Sequence, residues 1–211
     1  AVPYAEVLES PLVAERSPLL IEVIEDIGDV QVRNRGTLGG SLAHVDPASD
    51  LPAAALALDA SVVARSAGGE RVVPVSELFA GPFVSTLEPG EIITELRLPG
   101  HAAGTGAAYR SITQPASGYS IVGAAAVVTV SGGQVTSARI GITGVGEVPY
   151  RATAVEEALV AGGASAVASA AAHAADGQEV NGDIHADAEY RTAMAAVITR
   201  RALEAAIARV G

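Results

Sequence analysis

The residues whose types and spacing could do chemistry lie mainly in one run, which reads Arg-Asn-Arg-Gly-Thr-Leu-Gly-Gly-Ser-Leu-Ala over residues 33–43. Its glycines and hydroxyl side chains are Gly36, Thr37, Gly39, Gly40 and Ser41. Glycine lets the backbone approach a ligand closely and supplies unusual backbone angles. If a short helix begins at Gly40 or Ser41, its N-terminus adds N–H donors and a partial positive charge. The loop therefore suits a phosphate, a pyrophosphate or the oxygens of a nucleotide.

The glycine spacing alone leaves a plain turn as an equally good interpretation. No Gly-Lys-Ser/Thr follows the glycines, so the run is not a P-loop. No apolar strand leads directly into Gly36, and the spacing is not G-x-G-x-x-G, so it is not a Rossmann fingerprint. The neighbouring Arg33 and Arg35 could neutralise phosphates as forked donors, or they could pair with local acids such as Asp29.

A pair of carboxylates follows the loop, with Asp46 and Asp50 four residues apart and each close to a proline. Paired carboxylates can act as acid and base or bind a metal, but Asp-Pro sequences also favour turns and helix caps. No third ligand of a suitable type lies nearby and the four histidines are dispersed, so we expect no metal site. No serine-hydrolase elbow is present, and we expect no catalytic side chain.

Composition limits the class of protein. Of the 211 residues, 49% are hydrophobic and 18% are charged, which is typical of a globular chain. The net charge of −11 argues against nucleic acid and anionic membranes as partners. With no cysteine, the chain cannot itself ligate an iron–sulfur cluster through thiolates or form a disulfide. The lack of cysteine is compatible with the cytoplasm, and the alanine-rich tract at 164–175 is too short to span a membrane.

Hydrophobic periodicity predicts helices before and after the loop and strands in the middle of the chain. Helices are expected at about 4–10, from Pro18 to Gly28, and at 51–58, 152–161, 164–175 and 187–210. Hairpins are expected at 61–74 around Ala67-Gly68-Gly69 and at 121–143 around Gly132-Gly133, with further strands at 91–98 and 108–112. A Gly- and Ala-rich stretch at 101–106 is the candidate linker.

The whole run over 33–52, which continues as Asp-Pro-Ala-Ser-Asp-Leu-Pro at 46–52, closely resembles one family. It is similar to the second flavin-binding segment of the FAD-binding medium subunits of molybdenum hydroxylases, of the carbon monoxide dehydrogenase and xanthine dehydrogenase type. Glu-Tyr-Arg at 189–191 and Thr-Arg-Arg-Ala-Leu at 199–203 resemble the last helix of these subunits. The resemblance extends over the whole chain.

The resemblance implies an α+β fold. Residues 1–100 would form the C-terminal half of a PCMH-type (vanillyl-alcohol-oxidase-like) FAD-binding domain. Residues 101–211 would form a small antiparallel sheet covered by helices, like the C-terminal domain of the carbon monoxide dehydrogenase flavoprotein.

The resemblance also implies which residues contact the cofactor, FAD. The loop residues that it assigns to FAD binding are Arg35, Gly36, Thr37, Leu38, Gly39, Gly40 and Ser41. It implies that Asp50 bonds to hydroxyls or ring atoms of FAD, that Ile93 lies beside the flavin, and that Tyr119 lies against the isoalloxazine ring. From the sequence pattern alone, Ile93 is a core strand residue and Tyr119 is equally well a half-buried packing residue.

The implied function is electron transfer in an oxidoreductase complex, by a subunit that need not be active alone. Electrons would pass from a molybdopterin-binding large subunit, through an iron–sulfur small subunit, to FAD and an external acceptor. The alternative is a truncated, non-catalytic interaction subunit that binds no FAD. A remoter alternative is a vanillyl-alcohol-oxidase-type flavoenzyme acting alone, for which the C-terminal region looks too small.

Relatives in this family bind FAD between two Gly-rich segments, and residues 1–10 match the region just after the first segment. We therefore expect this chain to lack half of the pyrophosphate site and, by itself, to bind FAD weakly or not at all. Tight, stoichiometric flavin on the purified chain would refute that expectation.

Overall fold

The structure is a computed structural model that describes residues 1–210, so Gly211, the last residue of the predicted second domain, lies outside the described residues. The first half begins with six helices: α1 (Tyr4–Leu8), α2 (Pro11–Arg16), α3 (Pro18–Asp26), α4 (Val30–Arg35), α5 (Leu38–His44) and α6 (Asp50–Ala57). Five strands follow: β1 (Ser61–Ser66), β2 (Gly69–Pro74), β3 (Phe79–Gly81), β4 (Val84–Ser85) and β5 (Ile92–Arg97). A 3-10 turn at Val75–Glu77 precedes β3.

The second half holds four strands and three helices. The strands are β6 (Thr105–Thr113), β7 (Ser120–Ser131), β8 (Gln134–Thr143) and β9 (Tyr150–Arg151). The helices are α7 (Thr153–Gly162), α8 (Val167–Ala171) and α9 (Ala188–Ala208). The strands of the chain form an antiparallel sheet in the order β2-β1-β5, a small β3-β4 pair, and an antiparallel sheet in the order β6-β7-β8-β9.

Both predicted hairpins are confirmed. β7 and β8 pair up to Ser131 and Gln134, and the intervening Gly132 and Gly133 have φ angles of 58° and 80°. Positive φ at both central residues is what a two-residue turn between twisted strands requires, and glycine adopts it without steric cost. The turn residues therefore set the register of the pairs beside the turn, and the register shifts by one residue between Val130 and Thr129.

The pairing of β5 explains an irregular pattern in its sequence, where Ile93 and Leu96 are three residues apart. Ile93 pairs with Ala64 and Glu95 pairs with Val63, so the register shifts at Thr94. One extra residue in a strand shifts the alternation of its side chains, so that two side chains three residues apart lie on the same face. Ile93 and Leu96 therefore both pack against the first hydrophobic core.

The four-stranded sheet lies between two layers of helices. On one face, α3 and α6 contact it, and on the other face α7 and α9 do. β7 supplies both cores: Ala125 and Val127 belong to the first, and Ala124, Ala126 and Val128 belong to the second. A strand buried on both faces needs an uninterrupted apolar sequence, and the small alanines allow the helices to approach closely.

Helix α6 lies directly on this sheet. A Cβ atom placed on Gly141 would overlap the carbonyl oxygen of Ala53 in α6, so the helix backbone touches the strand. The Thr143 hydroxyl shares its proton between the carbonyl oxygens of Pro47 (2.9 Å) and Ser49 (2.8 Å), which precede α6. The segment before α6 is thus hydrogen-bonded to β8, and the start of the helix is held on the sheet.

A second link between the halves of the chain is an ion cluster around Glu22 of α3. Its carboxylate accepts from Arg110 (2.6 Å) in β6 and from Arg209 (2.6 and 3.0 Å) at the end of α9, and also from the backbone N–H of Tyr109 (3.1 Å). Burial opposes the charge, but the hydrogen bonds from Arg209 and Arg110 outweigh it and lower the pKa of Glu22. Glu22 therefore remains an anion that connects three elements.

The structure differs from the sequence prediction in several local details. Two short helices, α2 and α4, lie where no helix was predicted, and β6 begins at Thr105, inside the predicted linker at 101–106. The helix predicted over 164–175 is a 3-10 turn followed by α8, which ends at Ala171. Helices of five or six residues have too few periods for a pattern to reveal them. Among residues 1–210, no helix is both long and apolar enough to cross a bilayer.

The seating of α6 generates a stability prediction. We expect Gly141→Ala to lower the free energy of unfolding by about 3 kcal/mol, because the new methyl group must push the α6 backbone off β8. Urea unfolding followed by circular dichroism measures the change. Gly100→Ala is the matched control, since a Cβ atom there meets nothing within 4 Å. Equal stability of the two variants would contradict the close contact.

Candidate functional site

The glycine-rich loop forms the first turn of α5. The helix begins at Leu38, earlier than the predicted Gly40 or Ser41, because Thr37 caps it: its Oγ1 accepts from the N–H of Gly40 (3.0 Å). A side-chain cap of this type satisfies one of the orphan donors of the first turn. The chain start supports the loop, since Tyr4 N–H donates to Gly36 O (2.9 Å) and Leu38 N–H donates to Val2 O (3.3 Å).

None of the three glycines has a positive φ, and close packing explains two of them, Gly36 and Gly40. A Cβ atom on Gly36 would lie 2.6 Å from the ring of Tyr4, and one on Gly40 would lie 2.7 Å from Thr37 Oγ1. Gly39 faces Ile93, whose Cγ2 would be 3.5 Å from a Cβ atom. Glycine at 36 thus makes room for the Tyr4 ring, and glycine at 40 makes room for the cap.

A cleft of about 390 Å³ opens beside this loop. Its walls are the residues from Arg35 to His44 that face it, the segment from Asp46 to Asp50, and the turn at 117–119 before β7. The predicted site residues that line the cleft are Arg35, Gly36, Thr37, Gly40, Ser41, Asp50 and Tyr119. The other three predicted residues, Leu38, Gly39 and Ile93, do not line the cleft. Leu38 and Ile93 pack against the first hydrophobic core instead.

The two arginines of the loop have different positions. Arg33 donates through NH1 to the carbonyl oxygens of Ile27 (2.9 Å) and Gly28 (3.1 Å), so it caps the end of α3 and does not pair with Asp29. Arg35 lines the cleft, and no ion pair involves it among residues 1–210. Of the two cations, Arg35 is the one placed to meet an anionic ligand.

The two aspartates also differ. Asp46 accepts the N–H of Ala48 (2.9 Å) in the turn that leads to α6, which is the turn-forming role weighed from the sequence. Asp50, at the start of α6, is only 5% exposed, and its Oδ1 accepts from the hydroxyls of both Tyr109 and Ser120. Asp50 is therefore a buried carboxyl group at the base of the cleft.

Burial has a large effect on these groups. Desolvation raises the pKa of Asp50 to about 7, although hydrogen bonds from Ser120 and Tyr109 act in the other direction. Desolvation and the nearby Asp50 raise the pKa of Tyr109 well above its usual range. Burial likewise raises the pKa of Tyr4 to about 12. Both phenols therefore stay protonated near neutral pH, whereas Asp50 exchanges a proton there.

The rim of the cleft carries hydroxyls and aromatic rings. The Ser41 and Ser49 hydroxyls lie 2.8 Å apart, and the ring of His44 lies 5.1 Å from that of Phe83. Tyr119 is 54% exposed, so its ring is available to a ligand in the cleft. The arrangement offers hydroxyl donors and one cation near α5, an open aromatic face opposite, and a titrating carboxyl between them.

The sequence did not predict several residues that line the cleft, chiefly Tyr4, Ser49 and Ser117. It also did not predict that Tyr109 and Ser120 are the hydrogen-bond partners of Asp50. The alternation of side chains along paired strands does give a signal for Tyr109. Tyr109 pairs with Ala125 of β7, and Gly123 lies two residues from Ala125 on the same face of that strand. A Cβ atom on Gly123 would overlap the Tyr109 hydroxyl. Two small residues beside a buried tyrosine indicate where its side chain lies. The contact of any of these residues with FAD stays a prediction.

Comparisons with known proteins show the family to which the chain belongs. Residues 1–101 match the family described as "FAD binding domain in molybdopterin dehydrogenase", and residues 107–206 match "CO dehydrogenase flavoprotein C-terminal domain". The carbon monoxide dehydrogenase medium chain of Hydrogenophaga pseudoflava is 39% identical over 208 residues, which cover 97% of this chain and 72% of that one. Subunit alpha of the 6-hydroxypseudooxynicotine dehydrogenase complex of Paenarthrobacter nicotinovorans is 38% identical, over 98% of this chain and 71% of that one.

Solved structures show the same similarity. Carbon monoxide dehydrogenase from H. pseudoflava, in a form that lacks the Mo-pyranopterin moiety of its cofactor, superposes with a TM-score of 0.95 at 40% identity, over 100% of this chain and 74% of that one. Quinoline 2-oxidoreductase from Pseudomonas putida 86 superposes with a TM-score of 0.90 at 32% identity, over 100% and 74% of the two chains.

The chain belongs to the family of FAD-binding medium subunits of molybdenum hydroxylases. The resemblance seen in the run at 33–52 is thereby confirmed. The α+β fold class is confirmed as well, because both domain families match and the structural neighbours are proteins of this type. The relatives are dehydrogenase and hydroxylase subunits, so the chain is an oxidoreductase subunit of a flavoprotein family.

The buried carboxyl generates a prediction about pH. Its folded-state pKa of about 7 lies above the unfolded value of about 3.9, so the folded chain holds the proton between these values and Asp50 makes the protein less stable as pH rises through them. We expect the free energy of unfolding of Asp50→Asn, minus that of wild type, to rise on the order of 3 kcal/mol from about pH 4 to about pH 8.

Urea unfolding at a series of pH values measures this difference. Asp59→Asn is the control for losing one negative charge, since Asp59 is exposed and its φ of 56° is one that asparagine tolerates. A difference between Asp50→Asn and wild type that stays constant over this pH range would show that Asp50 does not titrate as described.

Proposed function

We propose that this chain is the electron-transfer subunit of a molybdenum hydroxylase complex and that the cleft beside α5 holds the flavin part of FAD. The observation that carries the proposal is the convergence of Ser41, Asp50 and Tyr119, from three separated segments, on one cleft. Membership of the FAD-binding medium-subunit family supports the same cofactor. The flavin, when bound, supplies the redox chemistry, and the protein supplies binding and orientation.

The donor set of the cleft fits the chemistry of this cofactor. The guanidinium of Arg35 and the hydroxyls of Thr37 and Ser41 suit the phosphates and the polyol chain. The exposed ring of Tyr119 suits an aromatic ring system, which stacks on tyrosine at little entropic cost. The carboxyl group of Asp50 suits a hydrogen-bonding group of the flavin. The cleft volume of about 390 Å³ is within the range of sites for small molecules and cofactors.

The relatives include medium subunits and a complex subunit alpha, so related chains work in multi-subunit enzymes. We propose that this chain does likewise, with a molybdopterin-binding large subunit and an iron–sulfur small subunit as partners. Electrons would then enter from iron–sulfur clusters on the small subunit, since this chain has no cysteine with which to hold a cluster itself. A cytoplasmic setting stays a prediction.

We further propose that residues 1–100 and 101–211 are two domains. Two hydrophobic cores support this division, one built mainly around α3, α6 and β1 and the other around β7, β8 and α9. The family matches over 1–101 and 107–206 agree with it. The cleft draws its loop from the first unit and Tyr119 from the second.

Titration of the purified chain with FAD, up to millimolar concentration, tests the proposed function. Quenching of flavin fluorescence, together with a shift of the flavin absorption bands, would show saturable binding of one FAD per chain and support the proposal. A folded chain that binds no FAD at any concentration would contradict the proposal and favour the non-catalytic interaction subunit.

The cleft generates a prediction about affinity. We expect Tyr119→Ala to raise the Kd of FAD about tenfold, because stacking on an aromatic ring contributes on the order of 1–2 kcal/mol. Tyr190→Ala is a matched control, since Tyr190 is also exposed (41%) but lies in α9, away from the cleft. Isothermal titration with both variants measures the effect. Equal loss of affinity in the two variants, or no loss in either, would place the ring of the flavin elsewhere.

A further inference from the structure

The carboxyl group of Asp50 is held from one side only. The Tyr109 hydroxyl and the Ser120 hydroxyl both donate to the same oxygen, Oδ1. The other oxygen, Oδ2, has no side-chain hydrogen-bond partner among residues 1–210, and Asp50 lines the cleft. One oxygen is thus used inside the protein and the other remains for a partner in the cleft.

Both donors to Asp50, Tyr109 and Ser120, belong to strands of the four-stranded sheet, which holds them in position. The backbone N–H of Tyr109 in β6 donates to Glu22, and its phenol group lies across Gly123 of β7, where a Cβ atom would overlap it. Ser120 is the first residue of β7. Because α6 is seated on the same sheet, the distance between Asp50 and its two donors depends on the packing of rigid elements.

An acid suits the first turn of α6, but burial disfavours its charge. Burying an ionisable group is costly unless its polar atoms are satisfied, and an amide or an apolar side chain would cost less. Two side-chain donors already satisfy Oδ1, whereas no side chain among residues 1–210 donates to Oδ2. An acid with one satisfied oxygen and one oxygen toward a cleft is an arrangement suited to a ligand.

We propose that Tyr109 and Ser120 are positioning residues, which hold Asp50 by Oδ1 and leave Oδ2 as the oxygen that contacts the flavin. This inference rests on the proposed function, because it takes the flavin to be the ligand in the cleft. It deepens that function by naming two residues that act on the cofactor through a third.

The arrangement has a consequence for pH dependence. Groups that bear on the Asp50 charge are Asp26 of α3, Tyr4 of α1, Tyr109 of β6, and the cleft residues Arg35, Asp46 and Tyr119. Burial raises the pKa of Asp50 to about 7, and the two hydroxyl donors oppose that rise. Removal of either donor therefore moves the titration of Asp50 to higher pH, by about one unit for one hydrogen bond to a charged group.

The test compares Tyr109→Phe and Ser120→Ala with wild type. The Kd of FAD is measured by fluorescence titration at a series of pH values from about 5 to about 9. We expect a transition near pH 7 in wild type and a transition about one unit higher in each variant. Tyr150→Phe is the matched control, because it removes a buried tyrosine hydroxyl of the second core that donates to Ala174 O (2.9 Å) and not to Asp50.

A second readout separates this inference from the proposed function. The carboxyl carbon of Asp50 is followed by NMR through the same pH range in chain without FAD. A raised midpoint in both variants and not in Tyr150→Phe, in the presence and absence of FAD, supports the inference. Saturable FAD binding whose pH dependence is the same in wild type and variants overturns it and leaves the proposed function intact. Failure of wild type to bind FAD overturns the proposed function, and an Asp50 midpoint unchanged by both substitutions overturns the positioning role independently.

Discussion

The contact on which the rest of the structure depends is the seating of α6 on the four-stranded sheet. Because Gly141 has no side chain, the backbone of α6 touches β8 at Ala53, and Thr143 binds the two carbonyl groups that lead into the helix. Interiors are packed closely enough that one added methyl group is felt. This contact holds the segment before α6 against the sheet, and with it the carboxyl group of Asp50.

The cleft follows from that constraint. Its walls come from the glycine-rich loop of the first half and from the turn before β7 of the second half, so neither half builds it alone. The ion cluster around Glu22 joins the same two halves through Arg110, Arg209 and the backbone N–H of Tyr109. The hydroxyl of the same tyrosine donates to Asp50. A chain with only 3% aromatic residues lines this cleft with the exposed Tyr119 and the buried Tyr4, and holds Asp50 with the buried Tyr109. The result is a site with an open ring on one wall and a buried acid at its base.

Local signals in the sequence predicted much of this fold. Gly132-Gly133 marked the hairpin of β7 and β8, and the apolar run at 51–58 is α6 within one residue. The helix predicted over 187–210 is α9, which Asp187 caps by accepting the N–H of Tyr190. The buried face of α9 contains Ile198 and Ala202, which an apolar pattern can indicate. It also contains Arg191, which such a pattern does not indicate and whose guanidinium donates to the carbonyl oxygens of Ile121 and Gly144.

Contacts between distant residues were beyond the reach of local patterns. Tyr109 and Ser120 donate to Asp50, from which they are 59 and 70 residues away in the sequence. The spacing of these residues does not predict the contact. The glycines of the loop were read as sources of unusual backbone angles, but the ring of Tyr4 and the cap of Thr37 explain Gly36 and Gly40. Such contacts are set by how the layers stack, and the stacking depends on the whole chain.

The measurement that most directly tests where the flavin binds is amide chemical-shift mapping of the isotope-labelled chain titrated with FAD, which also detects weak binding. We predict that the largest shifts fall on Thr37, Gly40, Ser41, Asp50 and Tyr119, which line the cleft. Shifts confined to another surface, such as the cavity beside Glu22 and His101, would contradict the assignment of the cleft to the flavin.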